Sequence, residues 1–205
     1  GLADTARLLK KRGQAMQAAV PVGEGAMAAL LGPSEEQVAA LIEAASGGEV
    51  LAVANDNAPG QLVISGKKSA VDRAVEMAKD HGVKKAMPLS VSAPFHCSLM
   101  QPAADVMAAA LAEVTFRPPA VPVIANVTAL PVSDPNALRS LLVDQVTGKV
   151  RWRETIASLS GLEVSTVIEI GAGKVLSGMN KRISKELNSQ NVETPADVEA
   201  FLATL

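Results

Sequence analysis

The stretch that decides the fold reads Ala26-Met27-Ala28-Ala29-Leu30-Leu31-Gly32-Pro33-Ser34-Glu35-Glu36-Gln37-Val38. Ala26 to Leu31 is an apolar run of strand length, and Gly32-Pro33 breaks it. Ser34 and Gln37 then stand at capping-box spacing: the hydroxyl accepts from the first helical turn and the Gln side chain reaches back to the cap. The helix that follows places Val38, Leu41, Ile42 and Ala45 on one face and stops at Gly47-Gly48. Further along, Val50 to Ala54 reads as a strand, Asn55 to Gly60 as a turn-rich loop, and Gln61 to Ser65 as a second strand. Ser69 is expected to cap another helix, with Val71, Val75 and Ala78 on its apolar face and Gly82 at its end. Lys84 to Leu89 closes the series as a strand.

The order is βαββαβ, the ferredoxin-like arrangement of a four-stranded antiparallel sheet with two helices on one face. A different organisation flanks it. A helix from Asp4 to about Ala19 precedes the module. A Met/Ala-rich helix near Ala103 to Val114, a strand at Val121 to Asn126 and a helix opening at Asp134-Pro135 follow it. Another helix near Glu154 to Leu159 leads to a strand, Ser165 to Ile170, and Gly171-Ala172-Gly173-Lys174 opens a last helical stretch. Strands alternating with helices indicate part of a parallel α/β sheet. The expectation is an α/β protein with a large subdomain from residues 1–20 and 91–205 and a ferredoxin-like small subdomain from residues 21–90.

Composition narrows the function. Of 205 residues, 48% are hydrophobic and 20% charged, as in ordinary globular proteins. Aromatics make up only 2%, so the core must be built from Ala, Val, Leu, Ile and Met. A net charge of −2 gives no field that would attract nucleic acid or an anionic membrane. The strands also lack the aromatic platform that RNA binding on a sheet requires. No apolar run approaches the ~18 residues of a spanning helix. The single cysteine, Cys97, excludes an internal disulfide and fits a reducing compartment, so a cytoplasmic location is expected. The chain starts at Gly1, inside an amphipathic helix pattern, which reads as a fragment or a processed product.

Chemistry concentrates in Val91-Ser92-Ala93-Pro94-Phe95-His96-Cys97-Ser98-Leu99-Met100. His96 at this junction is either a general base near neutral pH or a capping or core histidine, and the local pattern leaves both open. His81, at the polar end of a helix, reads as solvated surface. Cys97 beside His96 suggests a cysteine nucleophile, but adjacent residues project in different directions, which favours a buried, inert thiol. Gly171-Ala172-Gly173-Lys174 completes neither a P-loop nor a dinucleotide fingerprint and reads as a tight turn. Arg12, in Lys10-Lys11-Arg12-Gly13-Gln14, lies on a basic face; an Arg matters there only if a carboxylate must be held by two parallel hydrogen bonds.

Several segments, in this order, together resemble the malonyl-CoA:acyl carrier protein transacylase family. They are Arg12-Gly13, Pro21 to Ala29, Asn57 to Gly66, Pro88 to Met100, Asn126-Val127-Thr128-Ala129, Gln145-Val146-Thr147-Gly148 with Val150-Arg151-Trp152, and Glu169 to Leu176. The resemblance implies an α/β-hydrolase-like large subdomain carrying the ferredoxin-like one. It also implies ping-pong transfer of malonyl from CoA through a serine to the phosphopantetheine thiol of acyl carrier protein in fatty acid biosynthesis, with no metal or other cofactor. It makes His96 the base, Gln145 the residue that orients it, and Arg12 the partner of malonyl's free carboxylate. It makes Phe95 a selector against an α-methyl branch, and brings Asn57 and Gln61 toward CoA or pantetheine. Lys84, Lys85, Lys174, Lys181 and Arg182 are candidates for an acidic carrier's docking surface, although scattered surface charge explains most of them.

The family's serine occupies a G-x-S-x-G elbow. No serine in this chain has Gly at both −2 and +2, and the family's Gly-Gln-Gly segment, which helps build the oxyanion hole, is missing as well. The resemblance therefore covers the C-terminal two-thirds of the family's fold, and this chain alone is expected to be inactive. The alternative is a non-catalytic fragment that binds carrier protein or a small molecule.

Overall fold

The computed structural model describes residues 1–204. Strand β1 (Gly25–Leu31) leads through Gly32-Pro33 into helix α2 (Glu35–Ser46), with helix α1 (Leu2–Ala18) before them. Both halves of the capping box form: Gln37 N–H donates to Ser34 Oγ at 3.3 Å, and Ser34 N–H donates to Gln37 Oε1 at 2.8 Å. Gly47 ends the helix in the left-handed conformation, φ 56°. Strands β2 (Leu51–Ala58) and β3 (Gln61–Lys67), helix α3 (Lys68–Met77) and strand β4 (Lys85–Pro88) complete the βαββαβ order. The strands pair as β4-β1-β3-β2, every neighbour antiparallel. Leu30 and Ile64 from the sheet are fully buried against Val38, Leu41 and Val71 from α2 and α3. Each such side chain contributes about 1.5–3 kcal/mol by leaving water.

The rest of the chain packs beside this layer. Helices α4 (Gln101–Ala112) and α5 (Pro135–Thr147) join α1 in a second core around Met16, Met100, Met107 and Val146. Between α4 and α5 lies a small hairpin, β5 (Val123–Ala125) with β6 (Leu130–Val132). Strand β7 (Val150–Arg151) extends the main sheet by pairing in parallel with β2, and helix α6 (Trp152–Ser158) follows at once. Strand β8 (Thr166–Ile170), helix α7 (Val175–Ile183), strand β9 (Asn188–Val192) and helix α8 (Pro195–Leu202) finish the chain, β8 and β9 pairing in parallel. No helix among the described residues is long and apolar enough to cross a membrane.

Four expectations need correction. Asn55 to Ala58 is strand rather than loop, because the β2–β3 turn needs only Pro59-Gly60, and Gly60 takes φ 66°. Two bulges in β2, after Val53 and after Asp56, hid the alternation that would have marked it. Ser69 does not cap α3; its hydroxyl donates to the Glu49 carboxylate at 2.7 Å. The strand expected at Val121 to Asn126 shrinks to three residues and pairs antiparallel, not in a parallel sheet. The parallel component is limited to the β8–β9 pair and the short β2–β7 contact. Strand β9 had no sequence signal, since Asn188-Ser189-Gln190-Asn191 is polar throughout.

One ion pair ties the antiparallel layer to the C-terminal half. Asp56, on bulged β2, is 1% exposed, and the Arg153 guanidinium of α6 bonds both of its oxygens, Nε at 2.9 Å to each. Arg153 also reaches Glu35 at the start of α2. Removing Arg153 strands the Asp56 carboxylate in a desolvated site. Arg153→Ala is expected to lower stability by ~3 kcal/mol in chemical denaturation, whereas Glu35→Ala, at the exposed end, is expected to stay within ~1 kcal/mol of the parent.

Candidate active site

His96 sits in a turn that the sequence builds tightly. Phe95 N–H donates to the Ala93 carbonyl at 3.1 Å, and the Cys97 thiol donates to the Pro94 carbonyl at 3.2 Å. Pro94 is fully buried against Gly25 at the start of β1; a Cβ there would lie 2.3 Å from the proline ring, so only glycine lets the turn dock. The turn forces His96 to φ 58°, a left-handed conformation that residues other than glycine adopt only when their surroundings fix it.

The imidazole meets the end of α5. His96 Nδ1 lies 3.2 Å from the main-chain oxygen of Gln145, two residues before the helix ends. A carbonyl can only accept, so Nδ1 carries the proton and Nε2 is left with its lone pair. The Gln145 side chain turns the other way, and its Nε2 donates to Asn126 Oδ1 at 2.8 Å. Burial is the main effect on the ring and holds its pKa below the usual histidine range. The Gln145 carbonyl opposes this, the charge of nearby Arg12 lowers the pKa further, and the Gly148 carbonyl raises it slightly. The result is a neutral, oriented imidazole with an available acceptor nitrogen.

Arg12 projects from α1 into the same region. It is half-buried, and desolvation lowers its pKa. Among the described residues no carboxylate pairs with it. A cleft of about 960 Å³ opens beside it, lined by Leu8, Leu111, Phe116, Leu142 and Gln145 as well as Arg12. A partly desolvated guanidinium facing a largely apolar cleft, whose one lining carboxylate, Asp4, is paired with Arg7, is suited to a carboxylate ligand, which would accept two parallel hydrogen bonds from it.

The structure therefore brings His96, Gln145 and Arg12 together. Phe95 packs between two cores, against Met27, Ala54 and Val63 on one side and the α1–α4–α5 helices on the other. Asn57 and Gln61 flank the β2–β3 turn, and neither bonds to the three site residues; Gln61 Oε1 instead accepts from Arg182 Nη1 at 2.9 Å. Cys97 is buried with its thiol pKa raised, chiefly by desolvation, which makes it a poor nucleophile. The turn before α7 offers no free anion site, because the Glu169 carboxylate accepts from Leu176 N–H at 3.0 Å and Ser177 N–H at 2.8 Å. Among the described residues no cluster of His, Cys, Asp and Glu is placed to hold a metal. Sequence reasoning missed Asn126, whose side chain anchors Gln145.

Because Arg12 depresses the protonation of His96, Arg12→Gln is expected to raise the His96 titration midpoint, read by 15N-histidine NMR on this chain.

Comparison with known proteins matches the acyl transferase domain family over residues 1–198. The malonyl CoA-acyl carrier protein transacylase of Escherichia coli K12 is 43% identical over 200 residues, covering 98% of this chain and 65% of the relative. The solved acyl-carrier-protein-S-malonyltransferase of Bartonella henselae superposes with a TM-score of 0.96 at 53% identity, over 100% of this chain and 65% of that one. A malonyl-transacylase in complex with its type II PKS acyl-carrier protein gives 0.93 at 40% identity, over 97% of this chain and 64% of that one. The chain thus spans about two-thirds of the length of the relatives it matches, 65% in the first case. With the match running from the first residue into α8, the chain belongs to the acyl transferase domain family.

Proposed function

We propose that this chain is the base-bearing and specificity-bearing part of a malonyl-CoA:acyl carrier protein transacylase of fatty acid biosynthesis. The observation that carries the reading is an oriented, neutral His96 within reach of the charge of half-buried Arg12, which lines a cleft and which no carboxylate pairs among the described residues. In this reading residues 21–90 form a ferredoxin-like subdomain inserted into an α/β-hydrolase-like subdomain of residues 1–20 and 91–205. The antiparallel β4-β1-β3-β2 order and the parallel β8–β9 pair support that division.

The nucleophile is a serine supplied by polypeptide outside this sequence. His96 Nε2 takes the serine proton as Oγ attacks the malonyl thioester carbonyl, and gives it to the departing CoA sulfur as the C–S bond breaks. In the second half the phosphopantetheine thiol of acyl carrier protein yields its proton to the same nitrogen and attacks the acyl-serine ester. The serine oxygen then leaves and is reprotonated by His96. Arg12 holds the malonyl carboxylate throughout, Phe95 narrows the space beside the α-carbon, and Asn57 and Gln61 border the approach of the pantetheine arm. Every step uses side chains and substrate alone, so no metal or other cofactor is required. The malonyl-transacylase solved with its acyl-carrier protein supports the choice of partner, and the lone reduced thiol of Cys97 suits the cytoplasm.

The test joins this chain to the upstream third of the E. coli relative and assays transfer to acyl carrier protein. Malonyl transfer is expected to appear, and Arg12→Ala is expected to weaken malonyl use by ~2–5 kcal/mol while acetyl use changes little. Equal loss for both acyl groups would remove Arg12 from the carboxylate site. Binding of carrier protein without any transfer would favour a non-catalytic fragment.

A further inference from the structure

We propose that Asn126 is a positioning residue for His96, acting through Gln145. The proposal rests on the reading of His96 as a base, but it concerns the geometry of the ring and can fail independently of that reading.

Gln145 is held at one end and holds at the other. Its main-chain oxygen accepts from His96 Nδ1 at 3.2 Å, and its side-chain amide donates to Asn126 Oδ1 at 2.8 Å. The carbonyl it offers lies in the last turn of α5, where carbonyls have no intrahelical donor and helices fray. Gly148 ends the helix in an extended conformation, φ −81° and ψ 148°, and Val146 is the only fully buried side chain of α5. Val146 holds the last turn to the core, and among the described residues the Asn126 bond is the one hydrogen bond that the turn's side chains make to another element.

The anchor itself is rigid. Asn126 opens the turn between β5 and β6, which Ala129 closes at φ 55° with its N–H on the Ala125 carbonyl at 2.8 Å. Arg151 of β7 donates to the Val127 carbonyl at 2.9 Å and is itself paired with Glu154. Thr128, not Asn126, provides the side-chain hydrogen bonds inside the turn, to the Ala125 carbonyl and from Leu130 N–H. The Asn126 oxygen is therefore spent on Gln145 rather than on the local fold. The groups that bear on the ring are Arg12 from α1 and the Gln145 and Gly148 carbonyls from the end of α5.

The experiment follows both ring nitrogens of His96 by long-range 1H–15N NMR through a pH titration of this chain. In the parent, Nδ1 is expected to carry the proton in the neutral form. Asn126→Leu, which keeps the branched shape and deletes the acceptor, is expected to mix the two tautomers and lower the His96 midpoint, because the carbonyl that favours protonation is loosened. Asn126→Asp keeps an acceptor and adds negative charge, so the Nδ1–H tautomer should persist and the midpoint should rise. If Asn126→Leu does not fold, Gln145→Leu removes the same bond from the other side while keeping the carbonyl, and the same tautomer mixing is expected. An unaltered His96 tautomer and midpoint in a folded Leu variant would overturn the proposal. Loss of the tautomer in Asn126→Asp would overturn it too, since the acceptor would then be irrelevant. Transfer activity does not enter this readout, so its failure leaves the transacylase reading untouched.

Discussion

The end of an α-helix leaves main-chain carbonyls without donors, and in this protein one of them, that of Gln145, is taken by an imidazole. The rest of the site follows from that hydrogen bond. It fixes which nitrogen of His96 is protonated, leaves the other with its lone pair, and sets the ring at the negative end of the α5 dipole. That dipole and the two nearby carbonyls favour the imidazolium, while burial and Arg12 disfavour it. An imidazole whose charged form is opposed on one side and supported on the other rests neutral and can still accept a proton transiently.

Each side of the hydrogen bond is built by a different part of the chain. On the histidine side, buried Pro94 docks on Gly25 of β1, so the antiparallel layer determines where the ring stands. On the carbonyl side, α5 is anchored through Asn126 to the β5–β6 turn, and that turn is held by Arg151 of β7, which pairs with β2. The two routes start from the same sheet. The pair between buried Asp56 of β2 and half-buried Arg153 of α6 ties the C-terminal half to it. A sheet that carries neither His96 nor Gln145 thus governs the distance between the imidazole and the carbonyl that accepts from it.

The parts of the fold that could be read from the sequence were those with local signals. Ser34 and Gln37 announced α2, Gly32-Pro33 and Gly47-Gly48 bounded it, and the apolar faces of α2 and α3 matched the core that formed. Where bulges broke the alternation, as at Asn55 to Ala58, the strand read as loop; where β9 was polar, it left no trace. Ser69 carried a capping signal that tertiary contact with Glu49 overrode. In the site, residue types drew attention to His96 and to Arg12, but the local pattern could not choose between functional and structural readings of either. Gln145 entered only through the family resemblance, since a main-chain carbonyl has no sequence signature. Asn126 could not be assigned a role because its partner lies 19 residues away in a different element.

The central claim is that this chain holds the base and the carboxylate-binding arginine, while the acylated serine belongs to polypeptide outside it. The most direct measurement is intact-protein mass spectrometry after brief exposure to malonyl-CoA, with and without a separate polypeptide carrying the upstream third of a relative. The account predicts that this chain stays unmodified in both cases and that a malonyl adduct forms on the added polypeptide. A malonyl adduct mapped to a residue of this chain would contradict it.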